Sequence, residues 1–391
     1  MSRIIACFCK YLGTAALACI TGAASAQASL DATLKKYSAE YKLPALAAAV
    51  VKDGKVVAIG AVGTRKLGAN IPVTLDDRFH IGSDTKAMTA LLCAMLVEEG
   101  KLRWNSSMAE LYPELAEKMD ARLKTVTVEQ LLSHTGGLPA DSDEMWSWLI
   151  KSIYEDGNLN DTRYWMVKQI STMPLPHTPG EKMVYSNLGY TVAGAIAERI
   201  TGKTWEELMV ERIFVPLGLR SAGLGPQSSL GKIDAPLGHL EIGGKVVPLL
   251  AGSNGEVPTI YGPAGVAHMS VRDFAKWAGW NSGQGKHGPA LVQAGTLKKL
   301  HTMVTSLPPN PDAAPGTPSG GSYGLGWGAL NVDWSPYPIL YHGGSNGRNL
   351  AHIWLDPKRD LAMVVMSNIA TRQANEAFYA LAPELYRRYG K

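Results

Sequence analysis

The stretch Ile81-Gly-Ser-Asp-Thr-Lys-Ala-Met-Thr-Ala90 places a serine and a lysine three residues apart at the start of a long apolar segment. That segment runs to Glu99 without Pro or Gly and meets Gly100, which is suited to the end of a helix. It is apolar almost all round, which predicts a buried helix. Residues i and i+3 share a helix face, so we expect Lys86 to lie beside Ser83. A lysine whose pKa is lowered by burial can take the serine proton, which makes Ser83 a candidate nucleophile and Lys86 its base.

The pattern Ser-x-x-Lys is weak by itself, because an N-capping serine followed by a solvated lysine has the same spacing. A second copy, Ser229-Leu-Gly-Lys232, occurs in a Gly-rich stretch with the composition of a loop. No predicted helix orients that second pair. The first copy is therefore the better candidate, and the rest of the chain has to support it.

The N-terminal 26 residues have the three parts of a secretory signal. Two basic residues precede a small apolar run, and Ala24-Ser-Ala26 follows. We expect export to the periplasm or beyond, with cleavage after Ala26. Lipid attachment at Cys19 is an alternative, although the apolar run before it is very short.

Charge and cysteine content narrow the possible functions. Of 391 residues, 46% are hydrophobic and 18% charged, as in a globular protein. Loss of Arg3 and Lys10 with the signal takes the formal charge from +4 to +2, which argues against a nucleic-acid partner. No later segment is apolar enough to span a membrane. Cys93 is the one cysteine after the signal, and its apolar surroundings predict a small buried residue.

Both ends of the mature chain have strand patterns. Residues 46–51 and 55–62 flank Asp53-Gly54, a tight-turn signal, and three further strands precede a helix over about 373–389. A helix over 30–41 begins the chain. The pattern predicts an α/β (α+β) fold with one antiparallel sheet flanked by the terminal helices. We expect one unit over 27–391, with an α/β lobe from 27–83 and 320–391, a helical lobe inserted over 84–319, and a cleft between them.

Tyr185-Ser-Asn187 directly precedes a predicted helix. A phenol and an amide two residues apart on an extended segment point the same way. Tyr185 could carry a proton between Ser83 and a leaving group, and Asn187 could hold Lys86 or a substrate carbonyl. The alternative is a turn tyrosine and an N-capping asparagine.

His342-Gly-Gly-Ser-Asn346 ends a predicted strand. Its glycines, Gly343 and Gly344, would let a substrate approach the backbone closely. The Ser345 N–H could then pair with the N–H of Ser83 as an oxyanion hole. Alone, this stretch is a strand that ends in a turn.

Ser83-Asp-Thr-Lys86, Tyr185-Ser-Asn187 and His342-Gly-Gly344 together resemble, in order and approximate spacing, the three motifs of the serine β-lactamase and penicillin-recognising family. The resemblance is to its branch of class C β-lactamases, D-aminopeptidases and family VIII carboxylesterases. It extends over nearly the whole mature chain, with further matches at Leu131–Pro139 and Tyr323–Trp327. It implies a β-lactamase/transpeptidase-like fold, acylation of Ser83 with help from Lys86 and Tyr185, and no metal or other cofactor.

The third motif departs from the family pattern, which usually begins with a lysine that helps to hold a substrate carboxylate. His342 would be mostly neutral at pH 7. The sequence therefore resembles the esterases better, and we expect an ester, lactam or peptide as the small-molecule substrate, with esters favoured. Arg348 could supply a replacement cation. A class C-like β-lactamase and a D-amino-acid peptidase stay open, as does the oligomeric state.

Two hypotheses of other classes compete with this one. Gly343-Gly-Ser-Asn-Gly347 fits the Gly-x-Ser-x-Gly elbow of α/β-hydrolases, with Ser345 as nucleophile, but a strand rather than a helix is predicted to follow. No histidine occurs after His352, so that fold would lack its downstream base. A catalytically lapsed binding protein is the non-enzyme alternative, and the joint presence of Ser83, Lys86, Tyr185 and Asn187 argues against it. His134 is interpreted as a buried, hydrogen-bonded residue.

Overall fold

The computed structural model describes residues 27–142, 145, 147, 151, 158–250 and 257–391. The predicted signal segment, 1–26, lies outside the described residues. The Trp-rich stretch 141–173, whose sequence pattern also predicts a helix, lies partly outside the described residues as well. Within the described chain, no helix combines the length and the apolar character needed to cross a membrane.

A nine-stranded sheet is the centre of the fold, with the order β1-β3-β2-β14-β13-β12-β11-β10-β9. Its strands are β1 (Ala28–Ser29), β2 (Ala45–Lys52), β3 (Lys55–Gly63), β9 (Thr305–Leu307), β10 (Gly320–Tyr323), β11 (Gly328–Asn331), β12 (Ile339–Ser345), β13 (Leu350–Asp356) and β14 (Leu361–Ser367). Neighbouring strands are antiparallel except for the short β1, which runs parallel to β3. The two ends of the chain meet where β2 pairs with β14, with Val50 opposite Met363.

The predicted mixed fold and its joined terminal strands are confirmed. The β2–β3 turn has Asp53 at φ 50° and Gly54 at φ 70°, the left-handed backbone that an Asp-Gly pair tolerates. The division into two lobes stays a prediction. The sheet also takes in Thr305–Leu307, which precedes the boundary drawn at residue 320.

Helices cover both faces of the sheet. They are α1 (Asp31–Glu40), α2 (Thr85–Glu98), α3 (Met108–Leu111), α4 (Val128–Leu132), α5 (Leu159–Ser171), α6 (Asn187–Thr201), α7 (Trp205–Met209), α8 (Gly262–Gly265), α9 (Val271–Ser282), α10 (Ala294–Leu300) and α11 (Arg372–Tyr389). Turns of 3₁₀ helix occur at Gly82–Asp84, Leu123–Thr125 and Thr259–Tyr261, and a π-helical turn at Val210–Phe214.

Strand β2 is buried on both faces and so separates two cores. Its Ala47 and Ala49 face the larger core, which contains α2 and α9. Leu46 and Val50 face the smaller core, which is built from α1 and α11. This alternation is the period-two geometry of a strand, and it places the apolar helix α2 inside the molecule.

The region between the terminal segments contains more strand than the sequence indicated. A three-stranded sheet has the order β4-β8-β5, and β6 and β7 form a separate hairpin. The ranges are β4 (Arg78–His80), β5 (Gly223–Leu224), β6 (His239–Ile242), β7 (Lys245–Pro248) and β8 (Ala267–Ser270). The sequence pattern over 269–281 predicts a helix. In the structure this helix begins only at Val271, after β8, where the Ser270 side chain caps it.

Candidate active site

Ser83 lies in the 3₁₀ turn that leads from β4 into α2. The Gly82 N–H donates to Nδ1 of His80 at 3.0 Å, and the Thr85 hydroxyl donates to the Gly82 carbonyl at 2.7 Å. Gly82 has φ +51°, a conformation that glycine adopts without strain. Burial lowers the pKa of His80 to about 3, so its ring stays neutral and keeps an acceptor for Gly82. These contacts fix the turn that presents Ser83.

Lys86 is fully buried and its Nζ atom lies 3.0 Å from the Ser83 hydroxyl oxygen. Nζ also donates to Oδ1 of Asn187 at 2.6 Å and to the carbonyl of Ala264 at 2.6 Å. Burial lowers the pKa of Lys86 to about 7, and Asp141 and Asp84 oppose that shift. A substantial fraction of the amine is therefore neutral near pH 7.

A neutral amine has two N–H donors and one lone pair. With the two donors directed to Asn187 and Ala264, the lone pair is left for the Ser83 O–H. The site therefore has the geometry of a nucleophile hydrogen-bonded to a base whose own orientation is fixed by two acceptors.

Tyr185 is partly exposed as a residue, at 38%, whereas its phenol group is largely surrounded by protein. Desolvation raises the pKa of its phenol well above the ordinary value, and a hydrogen bond with Ser83 acts in the opposite direction. Nζ of Lys86 lies 4.9 Å from the centre of the Tyr185 ring. Tyr185 therefore stays protonated at neutral pH, which suits a proton donor better than a base.

Asn187 is the first residue of α6 and connects Lys86 to Asp141. Its Nδ2 donates to Oδ2 of Asp141 at 2.7 Å, which sets the orientation of the amide and directs Oδ1 at Lys86. Asp141 could not be predicted as a site residue, because it lies in an irregular segment and acts through Asn187.

Strand β12 approaches the Ser83 turn with no side chain between the two backbones. A Cβ atom on Gly344 would lie 1.9 Å from the carbonyl oxygen of Ile81 and 2.7 Å from the Ser83 nitrogen. A Cβ atom on Gly82 would lie 2.2 Å from the Ser345 nitrogen. The backbone of the Ser83 turn therefore lies directly against that of β12 near the nitrogens of Ser83 and Ser345. The oxyanion hole formed by their N–H groups stays a prediction.

His342 is 4% exposed, so its side chain is enclosed by protein. Its Nε2 is 3.0 Å from the Tyr323 hydroxyl and its Nδ1 is 2.9 Å from the Gly343 carbonyl. Burial lowers the pKa of His342 to about 3, and Lys86 adds to that shift. The sequence predicted a mostly neutral histidine from its ordinary pKa. The protein environment lowers that pKa further, so His342 is neutral over a wider pH range than predicted.

His134 connects the tyrosine motif to this buried region. Its Nδ1 accepts from the Ser186 N–H at 3.1 Å, and its ring centre lies 4.3 Å from that of Tyr185 and 4.8 Å from that of Tyr323. It is 2% exposed, as the sequence reading expected of a buried, hydrogen-bonded histidine. Tyr323 and His80 were missed, because only the tertiary arrangement shows what their side chains contact.

The competing serines have other partners. Ser229 donates to Oδ2 of Asp234 at 2.6 Å, so its hydroxyl is engaged by that carboxylate. The Ser345 hydroxyl accepts from the Gly347 N–H at 2.9 Å, and the next element is strand β13. The strand–turn–helix arrangement of an α/β-hydrolase elbow is not present at this position. Across the described ranges, no three His, Cys, Asp or Glu side chains are grouped as metal ligands.

The fold and the three adjoining motifs define a class, that of the serine β-lactamase-fold hydrolases. The family model described as beta-lactamase matches residues 30–385, and the chain therefore belongs to the beta-lactamase family.

Its relatives include penicillin-binding proteins. Penicillin-binding protein 4 of Amycolatopsis lactamdurans is 27% identical over 351 residues, which cover 88% of this chain and 87% of that one. Protein flp of Staphylococcus aureus (strain MRSA252) is 24% identical over 343 residues, 88% of this chain, and the chain spans 63% of the length of that relative.

Solved structures of similar fold cover most of the chain. An octameric penicillin-binding protein homologue from Pyrococcus abyssi has a TM-score of 0.72 and 25% identity, covering 90% of this chain and 76% of that one. A D-stereospecific amidohydrolase from Streptomyces sp. has a TM-score of 0.66 and 20% identity, and the match covers 88% of this chain and 96% of that one. The latter likeness is one of fold alone.

Proposed function

We propose that this chain is an exported serine hydrolase that forms an acyl-enzyme on Ser83 and acts as a carboxylesterase of the family VIII type. The observation that carries the proposal is the buried amine of Lys86, 3.0 Å from the Ser83 hydroxyl and held by two acceptors. A lysine with a pKa of about 7 is suited to act as a base near neutral pH.

In the acylation step, the Ser83 oxygen attacks the ester carbonyl while its proton passes to Lys86. The carbonyl oxygen acquires negative charge and is stabilised by the N–H groups of Ser83 and Ser345. Two donors preorganised in this way lower the barrier because they need no reorganisation as the charge develops.

Collapse of the tetrahedral intermediate breaks the bond to the alcohol. The leaving alkoxide takes a proton from the Tyr185 phenol, which recovers one from Lys86. Water then attacks the acyl-enzyme with Lys86 and Tyr185 again handling the proton, and the acid is released as Ser83 is regenerated. Asn187 holds Lys86 through both steps.

The preference for esters over β-lactams follows from the uncharged third motif. His342 is neutral and buried, so it offers no cation to a substrate carboxylate. Arg348 packs its aliphatic part against Gly238, since a Cβ atom on Gly238 would lie 2.7 Å from Cβ of Arg348. An uncharged acyl group therefore suits the site better than an anionic lactam.

Asp141 favours a second candidate, hydrolysis of D-amino-acid peptides. Its carboxylate is exposed beside Asn187 and is suited to bind the free ammonium of a peptide. Under this alternative Asp141→Asn should raise KM for a D-alanyl amide more than for an uncharged ester.

The test is a paired assay of the purified protein at pH 7 to 8 with a short-chain p-nitrophenyl ester and a chromogenic cephalosporin, with Ser83→Ala as the blank. A D-alanyl p-nitroanilide is run alongside. Ser83-dependent ester turnover with little cephalosporin hydrolysis supports the esterase. The reverse makes the protein a β-lactamase, and turnover of the anilide alone selects the peptidase.

Export is tested by fractionation and intact mass of the protein made from the full chain. A periplasmic or secreted product that begins at Gln27 supports cleavage after Ala26. A membrane-bound product beginning with a lipidated Cys19 would instead support the anchor. A cytoplasmic product that retains Met1 would contradict export.

A further inference from the structure

Asp84 is the residue between Ser83 and Thr85, and its carboxyl group is enclosed by protein. The side chain is 0% exposed, and neither Oδ1 nor Oδ2 has a hydrogen-bond partner among the described residues. A buried carboxylate without hydrogen bonds is costly, and the usual response is to bind a proton. Burial does raise the pKa of Asp84 well above its ordinary value, and Lys86 acts in the opposite direction.

The histidine of the third motif is the group that faces Asp84. Nδ1 of His342 lies 3.6 Å from Oδ1 of Asp84, which is within ion-pair range but too long for a hydrogen bond. The other contacts of the ring define its tautomer. Nδ1–H donates to the Gly343 carbonyl, and Nε2 accepts from the Tyr323 hydroxyl. The imidazole is therefore neutral and supplies no positive charge that would keep Asp84 ionised.

This pair spans the junction at which the oxyanion hole is predicted. Asp84 follows Ser83 in the nucleophile turn, and His342 lies on β12 three residues before Ser345. The backbones of the two elements touch at Gly344, where no side chain fits. A charge at this position would also act on Lys86, whose amine is sensitive to Asp84 in a medium of low dielectric.

We propose that Asp84 and His342 are positioning residues that act as one uncharged unit, holding the Ser83 turn against β12 and keeping the space behind Ser83 and Lys86 free of net charge. The inference rests on the proposed function, because it is measured through Ser83-dependent ester hydrolysis. To that function it adds a role for Asp84. The Asp84 carboxyl group takes no part in the chemistry, and because it is neutral it places no charge behind Ser83 and Lys86.

Several titratable groups face the pair from the surrounding elements. They are Lys86 on α2, Tyr323 on β10, Tyr341 on β12, His352 on β13, His134 after α4 and Tyr185 before α6. Burial lowers the pKa of the histidines and raises that of the tyrosines, so none of these rings is charged near pH 7. Lys86 is therefore the group whose titration will report a change of charge at the pair.

The experiment compares three variants, Asp84→Asn, His342→Lys and the double variant, by the pH profile of kcat/KM for a p-nitrophenyl ester. Asp84→Asn replaces a neutral acid with a neutral amide of the same shape. We expect the acid limb of its profile to stay within about 0.3 pH units of the parent, with a loss in kcat/KM of no more than about threefold.

His342→Lys places an amine next to the carboxyl group, and Asp84 then ionises to pair with it. The unit stays neutral overall, so the acid limb should move by less than about half a pH unit. In the double variant the new cation has no partner and repels the proton on Lys86. We expect its acid limb to fall by about one pH unit or more relative to His342→Lys.

A second measurement reads the same charge without the reaction. Benzylpenicillin is an anion, so the unpaired lysine charge of the double variant should attract it. We expect its inhibition constant to be about tenfold lower in the double variant than in His342→Lys. An uncharged amide isostere of the ester, which binds without forming an anionic adduct, should bind the two variants alike. Thermal unfolding of each variant shows that the comparison is between folded proteins.

A matched His–Asp pair supplies the control. Nε2 of His287 lies 2.5 Å from Oδ2 of Asp360 at a position apart from the motifs, and the two side chains are 30% and 24% exposed. The same changes there, His287→Lys with Asp360→Asn, should leave the acid limb and benzylpenicillin inhibition as in the parent.

Two outcomes overturn the proposal. An acid limb that falls in Asp84→Asn as far as in the double variant would mean that Asp84 is ionised in the parent. Identical profiles and inhibition constants for His342→Lys and the double variant would mean that the two residues do not act as a unit. If the lysine variants do not fold, the Asp84→Asn profile alone still decides the first point. Loss of the proposed function is distinguished by turnover that persists in Ser83→Ala.

Discussion

Oδ1 of Asn187 lies 2.6 Å from Nζ of Lys86, and Nδ2 of the same amide lies 2.7 Å from Asp141. The amide accepts from the base on one side and donates to a carboxylate on the other. Its orientation is thereby fixed, and it presents only an acceptor to the amine. The lone pair of the neutral amine is left for Ser83, so the second motif acts on the nucleophile through the base.

Asn187→Asp should move the acid limb of the ester profile to higher pH. A carboxylate at this position favours the protonated amine, so the pKa of Lys86 rises and less base is neutral at pH 7. We expect kcat/KM at pH 7 to fall by about tenfold or more and to recover partly at pH 9. Asn375→Asp on α11 is the control for an added carboxylate, and a loss that does not recover at high pH would contradict the explanation.

The parent protein should show a kcat/KM for an uncharged ester that rises through pH 7. Lys86 has to be neutral to accept the serine proton, and its pKa is about 7. The buried His80 and His342, whose pKa values lie near 3, contribute nothing in this range. A stopped-flow profile from pH 5 to 9 checks this, and a flat profile would exclude Lys86 as the base.

Replacement of the three candidate serines should separate their roles. Ser83→Ala removes the nucleophile, and we expect turnover to fall by about 10⁴-fold or more without a change in thermal stability. Ser345→Ala keeps the backbone N–H that the oxyanion needs, and Ser229→Ala changes only a contact with Asp234. Both should keep most of the parent rate. Near-normal turnover by Ser83→Ala would refute the mechanism.

Tyr185→Phe should affect poor leaving groups most. An ethoxide needs a proton as it leaves, whereas p-nitrophenolate leaves without one. We expect a loss of about 10²-fold in kcat for an ethyl ester and a much smaller loss for the p-nitrophenyl ester with the same acyl group. KM should change little for either. Equal losses for both esters would assign Tyr185 to binding rather than to proton transfer.

The helical region depends on a buried ionic cluster. Arg163 on α5 is fully buried and contacts Glu198 on α6 and Glu206 on α7. Arg163→Met leaves both carboxylates without their partner, which should lower the free energy of unfolding by about 3–5 kcal/mol in urea titrations. The exposed pair of Arg199 and Glu114 provides the control, and Arg199→Met should cost less than about 1 kcal/mol. If Arg163→Met lowered the free energy of unfolding by no more than Arg199→Met does, the buried cluster would contribute little to stability.

Much of the fold could be predicted because its strongest elements are local. The Asp53-Gly54 turn and the apolar run of α2 are each specified by residues that are neighbours in the sequence. The short strand Gly320–Tyr323 has two glycines and no β-branched residue, so its sequence resembles a loop. It becomes a strand because β11 is there to pair with it.

In the candidate site, the spacing of Ser83 and Lys86 predicted their contact, since three residues correspond to about one helical turn. Tyr323 contacts His342 across 19 positions through the pairing of strands, which spacing along the chain does not indicate. The neutral state of Asp84 could not be predicted either, because a carboxyl group beside a lysine looks like half of an ion pair until its burial is known.

Cys93 is buried on α2, ten residues after Ser83, and is the only cysteine among residues 27–391. Burial raises the pKa of its thiol to about 12, so it reacts with a thiol reagent only when the helix opens. The rate at which Cys93 is labelled therefore reports how often α2, the helix that begins beside the nucleophile, opens. That rate, read with and without an acyl group on Ser83, measures how far acylation stabilises the helix against opening.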